Sequence, residues 1–351
     1  MKKLLRSILE IESESGCCDD MQQFLWDFAE KSGWESHTDK LGNIYMTKGK
    51  SESYPCVVAH MDTVHEIMMT GKLVAAEVEP GVITGFNSNT KEQSGIGGDD
   101  KCGIYAALRA MIALKECKAA FFVDEEVGCH GSGGADIGFF SDCRFILQAD
   151  RRGGSDWVTN ISGPLGSDAF QKAAEPFLKA YGYAPTSGAM SDVMALRDGM
   201  VGISCANMSA GYHNPHQSSE WISVPQLENC VSMIIAICLG LKETFPFQYE
   251  ACPPAWSFGM QIRGGGSKKS KVSCDTYCTY CMEPKYYMEM EDMDVCLKCS
   301  RAQESTSGGI TYASCDSCGH LADLEFVEPF GMLCSGCERS MDAVRDQEWS
   351  Q

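Results

Sequence analysis

A mostly parallel, mixed sheet sandwiched by helices (an α/β domain), followed by a small Cys-rich domain, is the fold class predicted by three features of the 351-residue sequence. Short apolar runs alternate with helical patterns through the first 245 residues. Side chains able to bind metals follow one apolar run after another. Composition shifts near residue 246, and 9 of the 20 cysteines fall between Cys274 and Cys337.

Residues 2–12 and 19–31 read as amphipathic helices. Four apolar runs then suit buried strands: 56–59, 119–123, 145–147 and 201–204. Between them, residues 101–116 place Ile104, Leu108, Met111 and Ile112 on one helical face. Residues 167–181 predict another helix and 225–241 a third, with Pro225 suited to a first helical position, where no N–H is needed. Strands alternating with helices imply a sheet covered on both faces. Pro246, Pro253-Pro254 and the Gly/Ser/Lys stretch 264–271 lack periodicity. The expected organisation is therefore a large domain over 1–245, a linker over 246–270 and a small domain over 271–351.

The longest strongly apolar stretch, 231–241, is shorter than the roughly 20 residues that span a bilayer. Arg6 and Glu10 interrupt the apolar segment behind Lys2-Lys3, and no small-residue cleavage site follows, so a cytoplasmic protein is expected. Net charge is −19, from 48 acidic against 29 basic residues. Phosphate backbones and anionic lipid are bound through Lys and Arg, so this balance argues against nucleic acid and membrane as partners.

The polar groups after the strands carry the chemistry. His60-Met61-Asp62 follows the first run, Asp124-Glu125-Glu126 the second, and Asp150 the third. Gly211-Tyr212-His213 comes after the fourth, and Gly97-Gly98-Asp99-Asp100 opens the 101–116 helix. Each alone has a bland explanation as a surface pair, a solvated strand end or a helix cap. Five at consecutive element ends are hard to explain that way. Open α/β sheets bind ligands beyond the carboxyl ends of their strands, so one site gathers imidazoles and carboxylates fit for two divalent metals.

His60-Met61-Asp62-Thr63-Val64, Gly98-Asp99-Asp100-Lys101-Cys102-Gly103, Asp124-Glu125-Glu126-Val127-Gly128, Asp150 and Tyr212-His213-Asn214-Pro215-His216 stand in the order of a known family. Over about residues 1–245 they resemble the co-catalytic di-zinc exopeptidases, a group of peptidase T-like tripeptide aminopeptidases, glutamate carboxypeptidases and amino-acid deacylases. The resemblance implies that His60 and Asp150 bind one metal, Glu126 and His213 the other, and that Asp99 bridges them. Asp62 would orient His60, and the Asp99–Asp100 peptide is of a kind often cis in the family. Glu125 would be the general base on a metal-bridging water, returning the proton to the leaving amine. The metals would be zinc, with cobalt or manganese as alternatives.

The sequence departs from the family pattern in two places. Only 62 residues separate Asp150 from His213, too few for the lid and dimerisation insertion of larger relatives, so a lidless architecture is expected. Relatives commonly carry Glu at the fifth place of the last motif, where counting from His213 gives Gln217. His216 is thus an alternative ligand to His213. Asp192, Arg197 and the loop 186–190 are candidate substrate contacts, and Ser191-Asp192 reads equally as a helix cap.

In the tail, Cys278-x-x-Cys281 and Cys296-x-x-Cys299 are 14 residues apart, and Cys315-x-x-Cys318 and Cys334-x-x-Cys337 are 15 apart. Such knuckles form closed tetrahedral sites, so two structural zinc ions are expected in a zinc-ribbon-like domain, paired sequentially or as an interleaved cross-brace. Cys274 and His320 are spare candidates. From residue 252 the tail has 9 basic and 15 acidic residues, which favours a protein partner over nucleic acid.

The expected function is metal-dependent hydrolysis of an amide bond in short peptides or N-acyl amino acids, foremost as an aminopeptidase. The alternative is a catalytically retired peptidase fold that binds proteins through its zinc-ribbon tail.

Overall fold

The computed structural model describes residues 2–249 and six short strands beyond them: Thr276–Tyr277, Pro284–Lys285, Met290–Asp292, Val295–Cys296, Leu324–Val327 and Gly331–Cys334. Two compact units divide the chain, Met1–Phe258 and Gly259–Gln351. In the second, the six strands pair as three antiparallel ribbons. Cys296 and Cys334 are described there as strand backbone only. Cys278, Cys281, Cys299, Cys315, Cys318 and Cys337, the spare Cys274 and His320, and the linker from residue 250 lie outside the described residues.

The first unit begins with α1 (Lys3–Leu9) and α2 (Asp19–Ser32), then β1 (Glu35–Thr38), β2 (Ile44–Lys48), β3 (Tyr54–His60), β4 (Leu73–Glu79), β5 (Val82–Asn87) and β6 (Gln93–Ser94). Next come α3 (Gly98–Ala113), β7 (Cys117–Phe122), α4 (His130–Gly133), a 3-10 turn (Ile137–Phe140), β8 (Cys143–Arg151) and β9 (Asp156–Asn160). It closes with α5 (Asp168–Tyr181), β10 (Ala184–Ser187), α6 (Asp192–Asp198), β11 (Cys205–Ser209), β12 (Tyr212–His213), β13 (Trp221–Ser223) and α7 (Val224–Gly240).

Eight strands form one mixed sheet in the order β1-β2-β7-β3-β8-β11-β9-β10. Its centre, β7-β3-β8-β11, is parallel, and antiparallel strands lie outside it. The period-2 alternation of a strand sends successive side chains to opposite faces. Accordingly Val57, Ala59 and Phe121 enter a core shared with α1, α2, α3, α5 and α7. Cys56, Val58 and Phe122 enter a second core with Phe139, Phe140 and, from α6, Val193 and Leu196. Both faces are therefore covered, as the unbroken apolar runs require. Helix α5 shows how local sequence sets an element's limits: Ser167 Oγ accepts from Phe170 N at its start, and Gly182 takes the left-handed conformation (φ 75°) at its end.

The strand expected at 201–204 begins only at Cys205. Met200 (φ 64°) and Gly202 (φ 78°) hold the chain out of the extended conformation before it. A second sheet, β12-β13-β5-β4 with β6 paired to β5, has no counterpart in the sequence reading. β6, β12 and β13 have two or three residues, β4 is exposed at one end, and β5 buries three successive residues, so none shows apolar alternation along its whole length. Residues 151–212 are spent on β9, α5, β10, α6 and β11, which extend or cover the main sheet. Among the described residues no helix is long and apolar enough to cross a membrane.

Candidate metal centre

Parallel pairing of β3 with β7 and β8 sets their carboxyl ends side by side, and the polar residues following them meet there. His60, fully buried at the end of β3, has Nδ1 2.9 Å from the carbonyl of Asp62. With that nitrogen donating to the carbonyl, Nε2 is directed at carboxylates: Asp99 Oδ1 at 3.2 Å, Asp150 Oδ1 at 3.7 Å and Glu125 Oε2 at 3.9 Å.

Asp99 lies in the non-helical entry to α3, and its peptide bond to Asp100 is cis. Its two carboxylate oxygens diverge, Oδ1 toward His60 and Oδ2 toward His216 Nε2 at 3.4 Å. A Cβ on Gly98 would sit 2.6 Å from Tyr212 Cβ, so only glycine lets this loop approach β12 so closely. Asp100 is buried and accepts from the backbone N–H groups of His60 and Gly103.

Asp62 holds the turn after β7. Its carboxylate accepts from Ser15 Oγ (2.7 Å) and from the backbone N–H groups of Glu125 (3.0 Å) and Glu126 (3.2 Å). Glu126 Oε2 lies 3.1 Å from His216 Nε2, while its Oε1 is buried without a hydrogen-bond partner. Asp150 is tied at the backbone by Asn207, and its carboxylate accepts from Gln148 Nε2 and Tyr212 Oη, both at 3.2 Å.

The imidazole expected at the second metal is placed differently. His213 on β12 stacks on Trp221 (4.1 Å between centroids, 12° between planes), and its Nε2 lies 2.7 Å from Gln226 Oε1. It forms no ion pair with Asp99 or Glu126; His216 does. Between them the chain reverses through left-handed backbone at Asn214 (φ 53°) and His216 (φ 64°), which turns the later ring toward Asp99. A signal for this was present. Counted from His216 rather than His213, the fifth place of the motif holds Glu220. Glu220 is fully buried and accepts from the N–H groups of Gly97 (2.7 Å) and Asp99 (3.2 Å) while pairing with His65 (2.9 Å), so it anchors the Asp99 loop.

Of the candidate substrate contacts, Asp192 is fully buried beside the centre: its Oδ2 accepts from Gln148 Nε2, its Oδ1 has no hydrogen-bond partner, and its charge acts on Glu125. Arg197 is also buried, donating to the carbonyls of Ile161 and Gly163. Residues 186–190 form the end of the edge strand β10 and the exposed or half-exposed chain after it.

Burial and crowding shape the charges. Desolvation, with Asp192, Glu126 and Asp99 adding to it against His60, raises the Glu125 carboxyl to about 8. Desolvation and the Asp99 charge likewise raise Asp150 well above the usual carboxylate range. At Asp99 burial is outweighed by hydrogen bonds with His216 and His60, which hold its carboxyl low. His216 is raised to about 10 by Asp99 and then Glu126. For His60, burial works against the proton, but Asp150, Asp62 and Asp99 together raise it well above its ordinary value.

A divalent cation suits this donor set. One ligand atom each from His60, Asp99 and Glu126 lie within 4.8 Å of one another, as do those from His60, Asp100 and Asp150. The unpartnered Glu126 Oε1 and the diverging Asp99 oxygens leave acceptors for it.

No protein-family profile matches the sequence, and no curated protein matches it. Solved structures match the fold. Aminopeptidase PepT from Bacillus cereus superposes with a TM-score of 0.55 at 15% identity, covering 67% of this chain and 96% of that one. A tripeptidase from Staphylococcus aureus gives 0.55 at 13% identity, with the same coverage of 67% and 96%. An aminopeptidase from the archaeon Desulfurococcus kamchatkensis gives 0.55 at 14% identity, covering 69% and 94%. The first unit thus has the mixed α/β fold of these aminopeptidases.

Proposed function

We propose that the chain is a metallohydrolase that cleaves amide bonds at the ends of short peptides, foremost as an aminopeptidase. The observation that carries this reading is the Asp99 carboxylate, which presents one oxygen to His60 and the other to His216. Two cations shared across that carboxylate would be completed by Asp150 beside His60 and by Glu126 beside His216. His216 takes the role that the sequence motif assigned to His213. Zinc is the favoured metal, with cobalt or manganese as alternatives.

Bound cations would polarise the scissile carbonyl and acidify water. The chain supplies the proton traffic. Glu125, held by the Asp62–backbone hydrogen bond beside but not within the candidate ligand groups, takes a proton from water and delivers it to the leaving amine. In the metal-free cluster burial raises the Glu125 carboxyl to about 8, and a bound cation would lower that value toward the ionised form a base requires. The eight paired cysteines of the tail are proposed to hold two structural zinc ions.

Metal analysis of the full chain alongside hydrolysis of a dipeptide and tripeptide panel tests the reading. Four zinc equivalents, cleavage abolished by chelation and restored by metal, and a Glu125→Gln protein that keeps its metal but loses roughly 10²- to 10⁴-fold in kcat are expected. Normal turnover by Glu125→Gln would remove Glu125 from its role.

A further inference from the structure

Gln148 stands two residues before Asp150 on β8 and is fully buried. An amide there is tolerated only with its donors and acceptor met. The start of α6 meets them. Val193 N donates to Gln148 Oε1 at 3.1 Å, and Gln148 Nε2 donates to Asp192 Oδ2 at 2.9 Å. A backbone N–H can only donate, so it fixes which end of the amide is oxygen and turns Nε2 to the carboxylates. The same Nε2 donates to Asp150 Oδ2 at 3.2 Å. Tyr212 Oη donates to the other oxygen, Oδ1, also at 3.2 Å, and Oδ1 is the one that lies 3.7 Å from His60 Nε2. Two grips on different oxygens, from different elements, set the plane of the Asp150 carboxylate and decide which oxygen faces His60.

Neither simple role fits Ser191-Asp192. Ser191 makes no side-chain cap hydrogen bond at the start of α6, and its hydroxyl is buried without a partner among the described residues. Asp192 has no exposed surface with which to meet a peptide, and its Oδ1 is likewise buried and unpartnered. Leaving a carboxylate oxygen in that state is costly, so a smaller or apolar residue would suit the helix start better unless the carboxylate is needed where it stands. What it holds there is the Gln148 amide.

We propose that Asp192 and Gln148 form a strut that orients Asp150 for the cation beside His60, which makes Asp192 a positioning residue of the centre rather than a substrate contact. The proposal rests on the metal centre of the hydrolase reading and deepens it. Asp192 acts through Gln148: together with Val193 N it fixes the amide at both ends, and the amide holds Asp150 Oδ2, so that Oδ1 stays turned to His60. Removing such an outer hydrogen bond from a ligand costs roughly ten- to hundredfold in metal affinity.

The test titrates the full-length protein with zinc against a competing chelator, comparing the unaltered chain with Asp192→Ala, Gln148→Met and the double variant. Gln148→Met keeps the shape of the side chain and removes both polar ends. In each single variant one zinc equivalent should weaken by roughly ten- to hundredfold while the others stay unmoved. The double variant should be no weaker than Gln148→Met, since neither partner acts without the other. Asp192→Asn keeps an acceptor for Gln148 in the same volume, so it should recover most of the affinity lost in Asp192→Ala; a truncation that merely loosened the fold would weaken every equivalent. Losses that add in the double variant, all equivalents weakening together, or an Asp192→Asn protein as weak as Asp192→Ala overturn the strut. Cleavage of a tripeptide panel separates the two readings. The expected zinc pattern in a protein that cleaves no peptide keeps the strut and removes the hydrolase. Zinc affinity unmoved in every variant removes the strut, whether or not peptides are cleaved.

Discussion

The candidate metal centre and the cavity lined by Arg151, Arg152, Asp156, His213, Pro215 and Gln217 share only the segments after β8 and β12, and they treat charge differently. In the centre, Asp99, Asp100, Glu125, Glu126 and Asp150 crowd around a fully buried His60. Little solvent screens them, so like charges at such spacing repel strongly and demand protons or a cation. In the cavity, Arg152 stands exposed and, among the described residues, unanswered, because water screens a lone surface charge at little cost. Burial is thus what makes a collection of carboxylates a candidate cation site, whereas exposure lets a lone guanidinium stand without a partner.

The largest effect should come from exchanging the two imidazoles of the last motif. His216→Ala is expected to lose one catalytic metal equivalent and more than about a hundredfold in kcat/KM, beyond the range typical of residues that only support a ligand. His213→Ala, which removes the Trp221 stack on the cavity side, should keep all its metal. Metal analysis of the two proteins decides between them, and the opposite result would return the ligand role to His213.

Glu220→Gln comes next. It weakens the acceptor for the N–H groups of Gly97 and Asp99, and roughly 10- to 100-fold lower metal affinity is expected in a competition titration. Unchanged affinity would mean that the Asp99 loop is held without it.

The metal-free protein should also show the crowding directly. Glu125 goes from an ordinary 4.5 to about 8 and His216 from 6.5 to about 10, so the folded state holds more protons than the unfolded one across these windows. Folding stability contributed by these groups is therefore present at low pH and lost as pH rises, between about 4.5 and 8 for Glu125 and between about 6.5 and 10 for His216. A melting series in chelator should fall over this range, and added metal, by displacing those protons, should flatten it. A metal-free protein that melts higher as pH rises through the same range would contradict the charge balance drawn here.

The smallest effect probes the wall between the regions. Tyr212→Phe removes one hydroxyl donor to Asp150, and a loss of roughly two- to tenfold in metal affinity is expected by the same titration. A much larger loss would show that centre and cavity are not separable in this way.

Much of this was legible in the sequence. Residues 119–123 and 145–147 are uninterrupted apolar runs, and they became the buried strands β7 and β8 because only a sheet covered on both faces can use side chains that are apolar on both. The motifs named His60, Asp62, Asp99, Glu125, Glu126 and Asp150; parallel pairing of β3, β7 and β8 brings five of them together, and the entry to α3 delivers Asp99. The second sheet was not legible, since β6 and β12 have two residues each, β4 is exposed at one end and β5 buries three residues in a row, so no strand period runs through them. Nor was the part of Glu220, whose bonds to Gly97 and Asp99 cross more than 120 positions of chain.

What the sequence determined by itself was therefore local: periodicity, and the kinds of donor at each strand end, because both follow from covalent spacing. The sequence allowed the last motif to be counted from His213 or, with Glu220 at its fifth place, from His216, and the tertiary structure distinguished the two. Three positions separate them, and two left-handed residues between and at the second ring reverse the chain. That reversal sends one imidazole to Trp221 and Gln226 and the other to Asp99 and Glu126. The carboxylates that receive His216 come from distant parts of the chain, so no pattern confined to residues 212–217 could have selected it.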